Sequence, residues 1–386
     1  MFKIGLLLEY EGKQLFKKYK IPVVNSMLVT NEEEAKQASQ TLGLPVAVKA
    51  QVLSGRRGKR GLIKIAKTAD EVIEYSKQIL SMESDGRPVT HLLIEEGADI
   101  DKEFFISMIF DPNTYDQLIL FSTEGGVDIE ELAQERPEAI EKIRMPFGKE
   151  IFPFHFIDHL KKRGLEGKVL TQTASIMATL AKMMYAEDLT LAEINPLVVT
   201  KSGEVIALDS KVGVDDDAMF RHPERKEYLS EKLRYTKEEK EAKEKGLAYV
   251  DLGGDIGMLS CGAGMGMATA DLIEYFGGSP RNFLDVGGGA SPEKVEEALR
   301  IMTSVPGLKS ILINAFGGIT RLDDVAKGII EAKKKYNINI PMVIRFSGTN
   351  QEEGVKLLKE NGLDAYLDME PAIQKAVELA KAQEEN

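Results

Sequence analysis

The sequence is poor in the residues that support thiol, imidazole and zinc chemistry. Of its 386 residues, one is cysteine, four are histidine and none is tryptophan. The single cysteine, Cys261, excludes an internal disulfide framework and a zinc cluster built from cysteines, and it fits a reducing, cytoplasmic location. The histidines are scattered without a serine or cysteine partner pattern, and we interpret them as structural: His91, His155, His159 and His222.

Positive charge and long apolar runs are also scarce. Lysine and arginine number 50 against 62 acidic residues, the net charge is −12, and no basic stripe alternates with aromatics, which argues against a nucleic-acid partner. The apolar opening, residues 1–8, is too short to span a membrane and has no small-residue cleavage site, so no membrane partner is expected. It predicts a strand or the approach to a first helix. An anionic substrate would therefore need a locally basic site.

The first half of the chain alternates between helical and extended patterns. Apolar runs predict strands in antiparallel pairs and amphipathic stretches predict helices, so we expect an α+β domain. The capping-box sequence Thr68-Ala69-Asp70-Glu71 predicts the start of a helix. The predicted strands are residues 46–50, 62–65, 91–95, 104–110 and 117–122, and further helices are predicted at 11–20 and about 171–186.

A highly charged segment, residues 215–245, follows this half. Its glutamate and lysine runs contain few apolar residues, which is typical of a solvated linker or an exposed helix. We place a domain boundary near residue 238, giving domains 1–238 and 239–386.

Beyond that boundary the pattern is strand, glycine turn, helix, five times over. Apolar strands in βα units predict an α/β domain with a parallel, doubly wound sheet, in which ligands bind at the carboxyl ends of the strands. The predicted strand and helix pairs are 248–252 with 262–276, 282–286 with 291–302, 310–316 with 321–336, 342–346 with 351–361, and 365–367 with 371–381.

Residues 191–211 form two apolar runs around Ser202-Gly203, the pattern of a β-hairpin. If the hairpin turns about Ser202, Asn195 and Asp209 lie opposite each other with Cβ atoms about 5 Å apart. An amide oxygen and a carboxylate converging there suit Mg²⁺, which takes few protein oxygens and completes its shell with water and phosphates. On spacing alone an ordinary hairpin with polar ends is the better explanation. Glu193, on the same face, strengthens the metal interpretation.

A basic loop, residues 54–61, carries four cations and three glycines. Its free backbone N–H groups and cations would suit a polyphosphate, although a basic hairpin tip on the surface explains the sequence equally well. Lys49, inside an apolar strand before the loop, favours the first interpretation because a buried lysine needs an anion. The residues after the strand 91–95 would bracket adenine and ribose, although acidic turns are common: Glu95, Glu96, Gly97, Ala98 and Glu103.

Three glycine-rich turns precede predicted helices in the second domain, at residues 262–266, 285–292 and 314–321. Helix N-termini approached by glycines favour anions, but tight βα connections also need glycine, so their clustering on one sheet edge is the stronger evidence. We predict Thr320 as the N-cap of its helix and Arg321 as a cation at that edge.

Ordered blocks of sequence extend from about residue 7 to about residue 350. They are Glu9-Tyr10, Lys13-Gln14-Leu15-Phe16, Val48-Lys49, Arg57-Gly58-Lys59, residues 122–130, Glu193-Ile194-Asn195-Pro196-Leu197, Leu208-Asp209, residues 282–290 and Phe316-Gly317-Gly318-Ile319. In this order they resemble the β subunits of the succinyl-CoA synthetase family, the nucleoside-diphosphate-forming acyl-CoA ligases.

The resemblance implies an ATP-grasp fold for the first half and a flavodoxin-like ligase domain for the second. By position, it implies phosphate contacts from Lys49, Arg56, Arg57 and Gly58, nucleoside contacts from Glu95, Ala98 and Glu103, and Mg²⁺ ligation by Asn195 and Asp209. Glu193 would be catalytic, orienting a phosphohistidine of a partner α subunit that also binds CoA. The residues implied to hold phosphate or the acid are Cys261, Gly318, Ile319 and Thr320.

The implied reaction converts succinate, CoA and ATP reversibly into succinyl-CoA, ADP and phosphate, with GTP and GDP as alternative nucleotides and an αβ or α₂β₂ assembly. Three positions depart from the family. Arg56 replaces a usual glycine, Leu8 an early histidine, and Cys261 an asparagine that touches the acid in succinate-specific members. Because a thiol is a poorer donor than an amide, malate, citrate or another carboxylic acid remains an alternative substrate. A non-catalytic Mg-nucleotide sensor or scaffold is the alternative of another class.

Overall fold

The structure of the protein, a computed structural model, describes residues 5–84 and 86–383. The chain divides into two compact units, the first ending at Arg234 and the second beginning at Tyr235. Of the predicted apolar opening, residues 1–4 lie outside the described residues, and Gly5–Leu6 form a short strand.

The first unit contains thirteen described strands: β1 (Gly5–Leu6), β2 (Ser26–Val29), β3 (Val46–Ala50), β4 (Ile63–Ala66), β5 (Glu83–Ser84), β6 (Arg87–Pro88), β7 (Leu92–Glu96), β8 (Ile100–Phe110), β9 (Gln117–Ser122), β10 (Glu141–Met145), β11 (Leu189–Thr200), β12 (Val205–Ala207) and β13 (Lys211–Val214). Its α-helices are α1 (Glu9–Lys18), α2 (Glu32–Leu42), α3 (Ala69–Leu80), α4 (Ile129–Glu135), α5 (Phe154–Lys162), α6 (Gly167–Ala186) and α7 (Leu229–Arg234). Short 3₁₀ helices cover Pro137–Ala139, Asp216–Arg221 and Pro223–Glu227.

Two antiparallel sheets organise the first unit. The larger has the order β1-β13-β11-β8-β9-β10, with β12 paired to β11, and the smaller has the order β2-β7-β3-β4. Apolar side chains of α5 and α6 pack on the larger sheet, and those of α2 and α3 on the smaller. The predicted α+β organisation is confirmed, as is the capping box, since the Thr68 hydroxyl accepts from the Glu71 amide over 3.2 Å.

The predicted hairpin is present in the predicted register. Leu197 lies opposite Ala207, and Glu193 lies opposite Lys211, so one continuous register with its turn at Ser202 extends along both segments. That register places Asn195 opposite Asp209. The Asn195–Pro196 peptide bond is cis.

The second unit contains β14 (Ala248–Asp251), β15 (Ile256–Ser260), β16 (Asn282–Asp285), β17 (Ser310–Gly317), β18 (Met342–Gly348) and β19 (Ala365–Tyr366). Its helices are α8 (Lys237–Glu244), α9 (Ala263–Tyr275), α10 (Pro292–Ser304), α11 (Leu322–Lys335), α12 (Gln351–Glu360) and α13 (Met369–Ala382).

The sheet of this unit has the order β14-β16-β15-β17-β18-β19. The five strands from β15 to β19 are parallel, and their order, counted from β15, is 2-1-3-4-5, the flavodoxin-like arrangement. Helices α10, α11 and α12 cover one face, and α9 and α13 cover the other. The predicted doubly wound sheet is therefore confirmed.

One strand assignment in the second unit was wrong. The strand predicted at 248–252 is β14, an antiparallel edge strand paired with β16, and the strand that leads into α9 is β15, which the prediction missed. Strand β15 contains Gly257, where a Cβ would lie 2.9 Å from the sulfur of Met302, because α10 packs close to the strand there.

Residues 215–245, predicted as a solvated linker or an exposed helix, are largely helical, and the solvated-linker interpretation was wrong for much of the segment. It forms two 3₁₀ helices, α7 and α8, and Arg225 and Arg234 within it are buried. Arg225 is held by the Glu187 carboxylate over 2.7 Å, so charge pairing offsets the cost of burial. Within the part of the chain that the structure describes, no helix is both long and apolar enough to cross a bilayer.

Candidate functional site

Six charged side chains meet beside β3 and β7, the two inner strands of the smaller sheet, and we call them the ion network: Glu9, Lys13, Lys49, Arg57, Glu95 and Asp209. Glu9 and Lys13 stand one turn apart on α1, and their contact is 2.7 Å long. Lys49 on β3 pairs with Leu93 on β7, which puts Glu95, two residues further, on the same face. Three cations and three carboxylates give the network a formal charge of zero.

Lys49 has its anions within the protein. Its Nζ donates to Glu9 Oε1 over 3.0 Å, to Glu95 Oε1 over 2.6 Å and to the Leu208 carbonyl over 2.7 Å. An ammonium has three N–H donors, so all of them are used. Burial alone would lower the pKa of Lys49, but the Glu9 and Glu95 carboxylates raise it above its usual value. The Glu9 and Glu95 carboxylates supply the anions that a buried lysine needs, so the burial of Lys49 does not by itself favour a polyphosphate. The phosphate contacts of Lys49 and Arg57 stay predictions.

Arg57 joins the basic loop to both α1 and the hairpin. Its Nη1 donates to Glu9 Oε2 over 2.6 Å and its Nη2 to Asp209 Oδ1 over 2.8 Å. Burial by itself would raise the pKa of Glu9, but Arg57, Lys13 and Lys49 hold it well below its usual range. Glu9 is therefore an ionised, buried carboxylate in contact with three cations.

Two further cations of the basic loop, Arg56 and Lys59, contact carboxylates at the start of α4. Arg56 is 62% exposed in its side chain, and its Nη2 contacts Glu130 over 2.6 Å and Asp128 over 3.3 Å. Lys59 contacts Asp128 over 3.3 Å. Arg56 has φ +57°, a left-handed conformation that favours glycine. Gly58 is exposed in the same loop. The phosphate contacts of Arg56 and Gly58 stay predictions.

Asn195 and Asp209 are the residues that would hold a metal. Asn195 Oδ1 accepts from the Gly126 amide over 2.7 Å, and Asp209 Oδ1 accepts from Arg57 and, over 2.7 Å, from the Ser210 amide. The Asp209 side chain is 28% exposed, and none of the described residues donates to its Oδ2. Across residues 5–84 and 86–383, no group of three His, Cys, Asp or Glu side chains forms a metal site. One carboxylate and one amide oxygen suit a cation that brings phosphates and water with it.

Glu193 lies on β11 two residues before Asn195. It lies opposite Lys211, and burial raises its pKa above the ordinary value, while Lys211 and the Ser107 hydroxyl act against that shift. A carboxylate of this kind is desolvated and poised to accept a hydrogen bond.

Ala98 and Glu103 lie beside the hairpin without joining the ion network's described contacts. Ala98 is in the loop between β7 and β8, and Glu103 is on β8 opposite Val198. The Glu103 carbonyl accepts from the Gly125 amide over 3.0 Å, which fixes the segment that Asn195 also holds. Nucleoside contacts by Glu95, Ala98 and Glu103 stay predictions.

In the second unit, Cys261 and Thr320 follow β15 and β17, where the strand order reverses. Open α/β sheets bind ligands at this point. Asp285 Oδ1 accepts from the Gly262 and Gly287 amides over 2.6 and 2.7 Å, which draws two of the glycine turns together. Burial, with the Asp285 carboxylate adding to it, raises the pKa of the Cys261 thiol to about 12.

The predicted N-cap role of Thr320 was wrong. The N-cap of α11 is Arg321, and the Thr320 hydroxyl, 2% exposed, instead accepts from the Gly289 amide over 2.9 Å. The guanidinium of Arg321, predicted as a cation at this edge, forms an ion pair of 3.1 Å with Asp323 on its own helix. Gly318 and Ile319 are exposed in the same turn. Their contact with acid or phosphate, and that of Cys261 and Thr320, stays a prediction.

Sequence reasoning gave no role to Glu9 and Lys13, which belong to the ion network. A signal was available, because Glu9, Lys13 and Phe16 share one helix face by their spacing, and the apolar Phe16 marks that face as buried. Charged residues on a buried face need partners, and the structure supplies them from β3 and β7.

Comparisons with known proteins find relatives that match nearly the whole chain. A family model described as an ATP-grasp domain matches residues 6–199, and one described as a CoA-ligase matches residues 259–380. The two matches, in the two units described above, define the class of ATP-grasp CoA ligases. An ADP-forming succinate–CoA ligase subunit β from Burkholderia mallei is 45% identical over 384 residues, covering 96% of this chain and 98% of its own. Its counterpart from Burkholderia thailandensis is 44% identical over the same shares. The chain therefore belongs to the family of ADP-forming succinate–CoA ligase β subunits.

Solved structures support the fold. An ATP citrate lyase from Methanothrix soehngenii, in complex with citrate and coenzyme A, superposes with a TM-score of 0.72 at 21% identity, covering 97% of this chain and 99% of its own. An ATP citrate lyase from Methanosaeta concilii gives the same TM-score at 20% identity, over the same shares. These likenesses concern the fold alone. The predicted family and fold class are confirmed.

Proposed function

We propose that the chain is the β subunit of an enzyme that converts succinate, CoA and ATP reversibly into succinyl-CoA, ADP and phosphate, acting with an α subunit that carries a phosphohistidine and the CoA site. The single observation that carries this proposal is the contact between Arg57 and Asp209, 2.8 Å long. It brings the basic loop, suited to phosphates, against the hairpin, suited to a cation, within the ATP-grasp unit. The likeness over the whole length of named succinate–CoA ligase subunits supports it.

In this proposal Asn195 and Asp209 would hold Mg²⁺, which when bound neutralises charge on the transferring phosphoryl group. Lys49 and Arg57 bind the phosphates of ATP or ADP, and Arg56 and Gly58 close the loop over them. Glu193 accepts a hydrogen bond from the incoming histidine and holds its ring in line with the phosphoryl group. The half-buried position of Glu193 supports this role, because partial desolvation strengthens its hydrogen bonds.

The second unit binds phosphate or the acid in its glycine turns. Backbone amides at the starts of α9, α10 and α11 and the fixed Thr320 side chain would surround a small anion. Cys261 occupies the same edge, and its protonated thiol is a weak donor. The choice between succinate and a related acid therefore depends on this position. The ATP citrate lyase structures do not support citrate as the alternative substrate, because at 21% identity they share only the fold with this chain.

The test is to co-purify the chain with its cognate α subunit and to measure thioester formation that depends on acid, CoA and ATP, with succinate, malate and citrate compared. We expect succinate to support turnover. Turnover with malate or citrate alone would assign the related ligase, and no turnover with any short dicarboxylate or hydroxy acid would overturn the proposal.

A nucleotide sensor without catalysis is separated by a second measurement. Radiolabelled phosphate should move from ATP to the α-subunit histidine in the enzyme, and Asp209→Ala should abolish both nucleotide binding and this transfer. Binding without any transfer in the unmodified protein would assign the sensor.

A cytoplasmic location and an αβ or α₂β₂ assembly belong to the same proposal. Sedimentation of the co-purified complex measures its mass and so distinguishes the two assemblies.

A further inference from the structure

Lys13 and Lys49 share all of their acceptors. Lys13 Nζ donates to Glu9 Oε1 over 2.7 Å, to the Leu208 carbonyl over 2.8 Å and to Glu95. Lys49 donates to the same two carboxylates and the same carbonyl, as described above. Two lysines from different elements, α1 and β3, therefore duplicate each other's hydrogen bonds.

This duplication bears on the phosphate role of Lys49. Because its three N–H donors are all used, Lys49 contacts a phosphate only by giving up Glu9, Glu95 or the carbonyl. A buried carboxylate that lost its only cation would be left uncompensated, which is strongly unfavourable. Without a second cation, the network would hold Lys49 in place.

The burial of the two side chains indicates which lysine moves. Lys49 is 9% exposed and belongs to the strand that leads into the basic loop, whereas Lys13 is 2% exposed and lies on α1. Arg57 also contacts Glu9, at Oε2, so that carboxylate keeps a second partner. Glu95 has only the two lysines as its described cations, so Lys13 is what retains it.

We propose that Lys13 is a positioning residue: it holds Glu9 and Glu95 when Lys49 turns to a nucleotide phosphate, and so makes Lys49 available without contacting the nucleotide itself. The inference rests on the proposed nucleotide site and deepens it. It assigns the two lysines different roles despite identical partners.

The experiment measures binding of MgADP to the full-length protein by calorimetry. In Lys13→Met the network has two cations against three carboxylates, so Lys49 is held more firmly, and we expect the Kd to rise about tenfold or more, the effect of one charge-assisted hydrogen bond. Lys13→Arg keeps the charge and should recover most of the affinity. Lys17→Met, on the exposed side of the same helix, is the matched control and should bind as the unmodified protein does.

A second pair of variants separates positioning from direct contact. Glu95→Gln removes the carboxylate that has only Lys13 and Lys49 as its described cations, so the combined variant K13M/E95Q is again charge-balanced and Lys49 is free to leave, and we expect it to bind MgADP within about twofold of E95Q alone. This comparison holds even if Lys13→Met does not fold by itself. If K13M binds as the unmodified protein does, or if K13M/E95Q binds much more weakly than E95Q, the inference is wrong. Absence of MgADP binding in the unmodified protein would instead overturn the proposed function, and this inference with it.

Discussion

Arg57 donates through Nη2 to Asp209 Oδ1 over 2.8 Å, and this contact joins two segments separated by 152 positions in the chain. One segment is the basic loop and the other is the second strand of the hairpin. Both described hydrogen bonds to the Asp209 carboxylate end on Oδ1, and none of the described residues donates to Oδ2. Asp209 therefore accepts a hydrogen bond from the Arg57 guanidinium through Oδ1, and its Oδ2 is available to a cation.

The first prediction concerns the charge of Asp209. Asp209→Asn keeps the size of the side chain but removes the carboxylate, so we expect MgADP to bind about 10- to 100-fold more weakly, as the loss of a charge-assisted contact implies. Affinity for ADP without Mg²⁺ should change less. Calorimetric titrations with and without Mg²⁺ measure both. Asp99→Asn, which removes a carboxylate of an exposed ion pair with Lys201, serves as the control. Unchanged MgADP affinity in D209N would contradict the metal assignment.

The second prediction concerns the half-buried carboxyl of Glu193. Burial raises its pKa above the ordinary 4.5, so this residue contributes its full stability only below that value and loses it as the pH rises through the folded-state pKa. Glu193→Gln is uncharged at every pH. We therefore expect it to unfold at a higher temperature than the unmodified protein at neutral pH, with the difference vanishing below about pH 4.5.

The same variant should be impaired in function, because the proposed role needs the carboxylate. We expect phosphoryl transfer to the α subunit to fall at least about tenfold, the loss of one charge-assisted hydrogen bond. Thermal unfolding across the pH range and a transfer assay check the two halves. Glu204→Gln, in the exposed hairpin turn, should alter neither. A lower unfolding temperature for E193Q at neutral pH would show that the Lys211 contact outweighs burial.

The third prediction uses the only cysteine. The pKa of Cys261, raised from 9.0 to about 12 by burial and Asp285, makes the thiolate at pH 8 about a thousandfold rarer than at an ordinary thiol. A more basic thiolate is also a stronger nucleophile, which offsets part of this rarity, so alkylation of the folded protein should be slower by roughly 30-fold or more, and one equivalent should react in denaturant. Mass spectrometry over time measures the rate, with Cys261→Ser as the blank. Rapid alkylation of the folded protein would exclude this environment.

The fourth prediction concerns Gly125, which lies against the strand β8. A Cβ there would lie 2.7 Å from the Phe104 amide nitrogen and even closer to its carbonyl, so Gly125→Ala must shift the segment that Asn195 holds. We expect a loss of about 1–3 kcal/mol in stability, typical of overpacking, and weaker MgADP binding. Thermal unfolding and calorimetry measure these effects. Val127→Ala, at a half-exposed side chain of the same segment, is the control, and equal behaviour of the two variants would contradict the steric argument.

Much of the fold was predictable because it depends on local patterns. The hairpin register followed from the apolar runs around Ser202, since a period of two and a tight turn leave little choice. The doubly wound sheet followed from repeated βα units. The missed strand β15 shows where this reasoning fails: Gly257 interrupts the apolar run for a reason of helix packing, which a local pattern does not contain.

The candidate site was predictable only in part. The position of Lys49 in an apolar strand predicted a buried cation, and the structure shows that its anions are protein carboxylates and not the polyphosphate that this position was taken to favour. The sequence did not indicate that those anions are Glu9 and Glu95, because they lie 40 and 46 positions away and α1 and β7 bring them in. The hydroxyl of Thr320 was assigned to its own helix because capping is a local rule. It instead binds Gly289, 31 positions away.

By itself, the sequence determined the family, the two kinds of sheet and the register that sets Asn195 opposite Asp209, because ordered blocks, hydrophobic period and turn chemistry are written along the chain. The tertiary structure alone decided which charges meet. The partners of Lys49, the link between Arg57 and Asp209, and the duplication of Lys49 by Lys13 all depend on elements packed together from distant parts of the chain. Burial then gives these contacts their strength, because in a desolvated network each ionised group must have a partner.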